Sequence, residues 1–147
     1  EFLIQDLFVP GQIKLVYSHI DRIITGAAVP VEPIKLTAGD ELRAEYFCQR
    51  RELGVINIGG AGRITVDGRA CQVGFKEAMY IGMGSKEIVF ASDDARNPAK
   101  SISAAAASSL LTGGPTRWDT RRLCISAWAQ ETLSLQATTS RLPQNSI

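Results

Sequence analysis

The side chains in this chain that are able to do chemistry form a short inventory. There is one histidine, His19, followed closely by Asp21 and Arg22, and a second basic pair, Arg50 and Arg51, beside Glu52. A guanidinium presents a rigid fork of donors that matches a carboxylate bidentately, so Arg22, Arg50 and Arg51, with Asp21 and His19 as neighbours, are candidates for holding a small anionic ligand. Each has a plainer reading as well. A lone histidine between Ser18 and Ile20 is more often a hydrogen-bonded structural residue than a base, since nothing nearby sets its tautomer. Asp21 and Arg22 can simply pair with each other or with a neighbouring strand. Arg50 and Arg51 suit a solvated strand end or a subunit contact.

The other reactive groups point away from catalysis. Cys48, Cys71 and Cys124 are odd in number and widely spaced, which fits neither a disulfide framework nor a CxxC metal or redox motif. All three suit a reducing cytoplasm as small hydrophobes, and Cys48 and Cys71 lie in expected strands without a basic neighbour arranged to lower a thiol pKa. Gly59-Gly60-Ala61-Gly62 and Gly82-Met83-Gly84-Ser85-Lys86 lack the GxxxxGK[ST] form and precede strands, so they are turns and not phosphate cradles.

The elements that must position these groups are strands. From Arg50 to Ser92 short apolar segments alternate with glycine turns: Arg50 to Ile58, Arg63 to Val66, Arg69 to Val73, Ala78 to Ile81 and Glu87 to Ala91. Asp67-Gly68 tolerates positive φ at both central positions and predicts a type I′ hairpin. Upstream, Phe2 to Ile4 and Leu7 to Val9 are strand-like, Pro10-Gly11 is a turn, and Ile13 to Ser18 and Arg22 to Val29 are two further strands. Pro30 and Pro33 cannot donate to a ladder, which makes Glu32 to Thr37 an edge strand. Residues Glu41 to Gln49 fit either a short helical turn or a strand at Tyr46-Phe47-Cys48. Many short strands with regular turn signals are the sequence form of an all-β antiparallel sandwich or barrel.

At 147 residues and 15.9 kDa the chain has room for one domain with a true core, because a chain near this length buries roughly 70% of its unfolded surface. A formal charge of +1 and no run of Lys or Arg argue against nucleic-acid binding. No segment approaches the roughly 20 apolar residues that span a bilayer, and no basic region precedes an apolar run at the N-terminus. The expectation is a soluble, unexported protein without a membrane partner. The opening on Glu1, directly in a strand-like run, looks like the interior of something longer.

Several blocks resemble one family in a single register: Tyr17 to Arg22, Arg50 to Gly62, Ile64 to Gly68, Lys86 to Ser92, and Pro98-Ala99-Lys100. They are similar to the 5-keto-4-deoxyuronate isomerases, also called 4-deoxy-L-threo-5-hexosulose-uronate ketol-isomerases. The resemblance covers about residues 1 to 100. It implies a cytoplasmic enzyme of pectin and uronate breakdown, built on a cupin-type double β-barrel and assembled as a homohexamer. It converts 5-keto-4-deoxyuronate to 3-deoxy-D-glycero-2,5-hexodiulosonate. Zinc would act as a Lewis acid on the carbonyl while a base moves a proton between neighbouring carbons. For this chain the implied domain is the first barrel, 1–100, with a uronate as the small-molecule partner of His19, Asp21, Arg22, Arg50 and Arg51.

The same resemblance marks what is missing. Family members are nearly twice as long, and a His and Glu cluster in their second half holds the zinc. With one histidine and no His-x-His pair, no metal ligand or catalytic residue is carried over here, and the chain alone is expected to be inactive. From Ser101 the composition shifts to Ala, Ser, Thr and Leu, with no further Val, Phe, Tyr or Lys. Ala104 to Ala107 have the propensity to begin a helix. One account of 101–147 is a reading-frame shift after Lys100. Codons for Ser101-Ile102-Ser103 read two nucleotides later permit the aromatic strand the family would carry, and those for Ala127 to Leu133 permit its Leu-Gly-Asp. An irregular, disordered tail would follow. Two alternatives stand beside this reading: a non-catalytic cupin binding or assembly module, and the sugar-sensing domain of a transcription regulator, for which the tail offers no pair of amphipathic helices.

Overall fold

A computed structural model of the protein describes residues 3–19, 22–107 and 123–125, and of the last two residues of 101–107 and all of 123–125 only the backbone. Ten strands follow one another: β1 (Gln12–Tyr17), β2 (Ile23–Val29), β3 (Ile34–Lys35), β4 (Arg51–Asn57), β5 (Gly62–Val66), β6 (Arg69–Val73), β7 (Ala78–Ile81), β8 (Ile88–Ser92), β9 (Ser101–Ala107) and β10 (Leu123–Ile125). Two single turns of 3-10 helix, Asp40–Leu42 and Phe47–Gln49, lie between β3 and β4. The strands form a six-stranded sheet in the order β1-β2-β9-β4-β7-β10 and a four-stranded sheet in the order β3-β8-β5-β6. Every pairing among the described residues is antiparallel. The expected all-β antiparallel sandwich is therefore the fold.

Alternation explains the core. Leu53 and Val55 of β4 point inward with Met79 and Ile81 of β7, while Ile64 and Val66 of β5 and Ile88 and Phe90 of β8 face them from the smaller sheet. Phe47 and Cys48, carried by the second 3-10 turn, plug the same core. The 41–49 stretch thus resolves as helical turns, with no strand at Tyr46-Phe47-Cys48. The hairpin of β5 and β6 turns where expected, with φ of 48° at Asp67 and 78° at Gly68. The edge strand before Leu36 is confirmed but reduced to Ile34–Lys35, pairing with Phe90 and Val89.

Asn57 is the polar centre of the sandwich. It continues the inward series Leu53, Val55, and it is 1% exposed. Its Nδ2 donates to the carbonyls of Gly60, Val73 and Gly74 at 2.8, 3.0 and 3.1 Å, and its Oδ1 accepts from the backbone N–H of Gly59 and of Lys100, both at 3.1 Å. One side chain thereby ties the end of β4 to the glycine loop, to the end of β6 and to the entry of β9. The loop needs glycine here: a Cβ on Gly60 would lie 2.0 Å from the Asn97 carbonyl oxygen.

Two expectations are corrected. The strand-like run at the N-terminus forms no strand in residues 3–9; Leu3 is largely exposed, and the segment is held by Lys14 Nζ donating to the carbonyls of Gln5 and Asp6. Apolar alternation there lacks a partner strand to pair with. More consequentially, Ser101–Ala107 are neither helix nor irregular tail. They are β9, in the middle of the large sheet, paired with β2 on one side and β4 on the other. A slot with ladder partners on both edges overrides the helical preference of an alanine run. The rest of the tail, 108–122 and 126–147, lies outside the described residues.

Candidate functional site

At one end of the sandwich, the loop that joins β1 to β2, the first 3-10 turn and the start of β4 meet around an open cleft of about 500 Å³. Its walls are Tyr17, Arg22, Ile24, Glu41, Leu42 and Arg51. That volume falls within the range of small-molecule pockets. Ile24 is buried and Leu42 packs on the core, so the cleft has an apolar base. The charged groups stand around it: two guanidiniums against one carboxylate.

Each cationic side chain has its own local cause. Arg22 sits at φ 53° where the chain turns back into β2, a turn closed by the Ser18 N–H donating to the Ile23 carbonyl at 2.8 Å. Arg22 is exposed. Arg51 opens β4 immediately after the second 3-10 turn. Its Nη1 donates to the Phe47 carbonyl at 2.8 Å, and its guanidinium lies 5.4 Å from the centroid of the Phe47 ring. The hydrogen bond and the cation–π contact fix the Arg51 head. A guanidinium carries five N–H donors, so the Phe47 carbonyl leaves others for a ligand. Tyr17 stands half-exposed at the rim, with the His19 ring edge-on to it at 5.2 Å.

Of the residues singled out in the sequence, the structure brings Arg22 and Arg51 to one cleft and places His19 beside its rim. Arg50 is not among the residues that line the cleft, and it is not without a partner. Asp21 lies outside the described residues. Sequence reasoning did not single out Tyr17, Glu41 or Leu42 as site residues, and no spacing signal could have found them, because Tyr17 ends β1 while Glu41 and Leu42 sit together in the first 3-10 turn.

The two described cysteine side chains differ in exposure. Cys48 is fully buried, and that burial pushes its thiol up to about 12, with the positive charge of Arg51 only partly opposing the shift. It is a packing residue. Cys71 is a free, partly exposed thiol on β6.

Zinc, which the resemblance implies for the complete enzyme, needs three or four N, O or S donors converging on one point. Among the described residues no three His, Cys, Asp or Glu side chains converge in this way, so these residues do not fit the metal. No described helix is long and apolar enough to cross a membrane.

No family model matches the chain. Over 101 residues, however, it is 70% identical to the 4-deoxy-L-threo-5-hexosulose-uronate ketol-isomerase of Lachnoclostridium phytofermentans. These ketol-isomerases are its homologues. The enzyme of the same name from Formosa agariphila is 54% identical over 101 residues, and that of Escherichia coli SMS-3-5 is 53% identical over 103. In each case the match takes in 68% of this chain but only 36 to 37% of the ketol-isomerase. The chain thus spans little more than a third of the length of the curated relatives it matches. Among solved structures, a cupin protein from Bacteroides fragilis is similar over 76% of this chain and 90% of its own, at 13% identity and a TM-score of 0.45. The cupin domain of Schizosaccharomyces pombe Cnp3 is similar over 65% and 63%, at 8% identity and a TM-score of 0.45. At that distance neither bears on function.

Proposed function

We propose that this chain is the N-terminal, non-catalytic part of a 4-deoxy-L-threo-5-hexosulose-uronate ketol-isomerase, inactive by itself. The observation that carries the reading is the 70% identity to such an enzyme over 101 residues that make up only 37% of it. The complete enzyme converts 5-keto-4-deoxyuronate to 3-deoxy-D-glycero-2,5-hexodiulosonate in the cytoplasmic breakdown of pectin and other uronates. Its zinc ligands and its proton-moving base belong to the remaining part, and the full-length chains assemble as a hexamer. The role left to the sandwich described here is to support that catalytic part and the assembly. The test is an isomerase assay on the chain alone and on the chain co-expressed with the remaining portion of the L. phytofermentans enzyme. The chain alone gives no turnover and the pair gives turnover; isomerisation by the chain alone overturns the reading.

A second reading, a stand-alone cupin binding or assembly module, is favoured by one observation: β9 fills the centre of the large sheet with residues beyond Lys100. In that case the chain is a folded, cooperative unit whose behaviour is unchanged by the remaining portion of the enzyme, and the co-expressed pair shows neither association nor turnover.

A further inference from the structure

On the outside of the large sheet, β4, β7 and β9 present large aliphatic side chains to water. Ile56, Ile58 and Ile102 are 50%, 39% and 37% exposed. Ile56 and Ile102 are direct neighbours across the β4–β9 ladder, and Ile58, two residues further on, donates its N–H to the Lys100 carbonyl at 2.8 Å. Gly54, Ala78, Tyr80 and Ala104 extend this face as a shallow groove. Charge stands only at its two ends: Glu52, hydrogen-bonded to the Tyr80 side chain, and Lys100, exposed just before β9. On β2, Ala27 pairs with Ile102 yet is 1% exposed, so the bare area stops at that strand. An apolar centre within a polar rim is the anatomy of a contact surface, and a contiguous patch of this kind marks one.

The choice of what covers it follows from the length of the relatives and from where the likeness to them stops. The ketol-isomerases at 53 to 70% identity are matched over only 36 to 37% of their length. The blocks that resemble them end at Pro98-Ala99-Lys100, and Ser101 opens β9. In the N-terminal reading proposed above, the rest of such an enzyme therefore continues from the threshold of a strand that belongs to this face. Permanent contacts are more apolar than transient ones, and the centre of the face is apolar throughout.

We propose that the outer face of β4, β7 and β9 seats the remaining portion of the ketol-isomerase, which lays an apolar surface of its own over Ile56, Ile58 and Ile102. The inference rests on the N-terminal reading and adds to it the surface by which the two parts hold together. The contact is one of packing, with no group transferred across it.

The test is co-expression of the tagged chain with the remaining portion of the L. phytofermentans enzyme, read as the amount of that portion recovered with the tag. A lysine ammonium in the middle of an apolar contact is left without a partner, so Ile56→Lys and Ile102→Lys are each expected to lower recovery about ten-fold. Val31→Lys, at an exposed apolar residue between β2 and β3, leaves recovery unchanged. Far-ultraviolet dichroism of each purified variant checks that the sandwich itself is folded, and restored turnover falls in step with recovery. A pair that forms and turns over equally well with Ile56→Lys and Ile102→Lys overturns this inference and leaves the proposed function standing. Failure of the unaltered chain to associate or to restore turnover overturns the proposed function, and this inference with it. A discrete dimer of the chain that is lost in Ile56→Lys and persists beside the remaining portion gives the face to a second copy and overturns the assignment made here.

Discussion

At the scale of single residues, Asn57 decides more than any group named for its chemistry. It occupies an inward position of β4, where the series Leu53, Val55 leads one to expect another apolar side chain, and it spends all of its amide on five backbone partners. Replacing it with Leu leaves the carbonyls of Gly60, Val73 and Gly74 without their donor, and a buried polar group stripped of its partner costs about 1 to 3 kcal/mol. Asn57→Leu is therefore expected to lower the unfolding free energy by about 3 kcal/mol in urea denaturation. Asn57→Asp keeps the oxygen that accepts from Gly59 and Lys100, loses the donors, and buries a charge, so it is destabilising too and recovers part of the loss as the pH is lowered. The guanidiniums of the cleft were legible by residue type, because Arg22 and Arg51 match a carboxylate wherever they stand. Their convergence was not legible, since Tyr17 comes from the end of β1 and Glu41 and Leu42 from the first 3-10 turn, and only the closed sandwich brings them together.

At the scale of elements, β4 to β8 could be read directly, because their alternation is strong and the Asp67-Gly68 turn dictates its own geometry. β9 could not. Ser101, Ser103 and Ala105 face inward and are buried, while Ile102 and Ala104 face outward, so the strand alternates in position without alternating in polarity. Small side chains carry little information about which face is wet. The strand is specified from outside itself, by the exposed ladders of β2 and β4 and by the anchoring of Lys100, whose N–H donates to Asn57 and whose carbonyl accepts from Ile58 at 2.8 Å. A proline at Ala105, paired with Ile24 on one side and Leu53 on the other, removes a ladder donor in a central strand. Ala105→Pro is expected to cost about 3 kcal/mol or more and to abolish the cooperative thermal transition. Ala104→Thr, on the outer face of the same strand, leaves the midpoint unchanged or slightly higher.

At the scale of the whole molecule, the outer side of the large sheet is unusually apolar for a surface that meets water. Ile56 is 50% exposed and Ile102, its direct neighbour across the β4–β9 ladder, is 37% exposed. Gly54, Ala78, Tyr80 and Ala104 continue the face as a shallow groove of about 270 Å³. A contiguous apolar patch of this kind promotes self-association. The Ile56→Lys and Ile102→Lys variants are each expected to raise the concentration at which the chain aggregates, measured by light scattering, while the far-ultraviolet dichroism of the sandwich persists. An unchanged aggregation threshold would assign the self-association to another surface.

The place of β9 also carries a consequence in time. Its neighbours on either side, β2 and β4, both precede it by a long stretch of chain, so residues such as Thr25 and Ala104 meet only across most of the domain. Such non-local pairings are slow to form, because the loop must close before the contact rewards it. The β5–β6 hairpin and its pairing with β8 use only residues 62–92, all of which are made before Ser101. The large sheet, by contrast, has no pairing between β2 and β4 except through β9. Its least distinctive segment is thus the one that joins β2 to β4 in the large sheet.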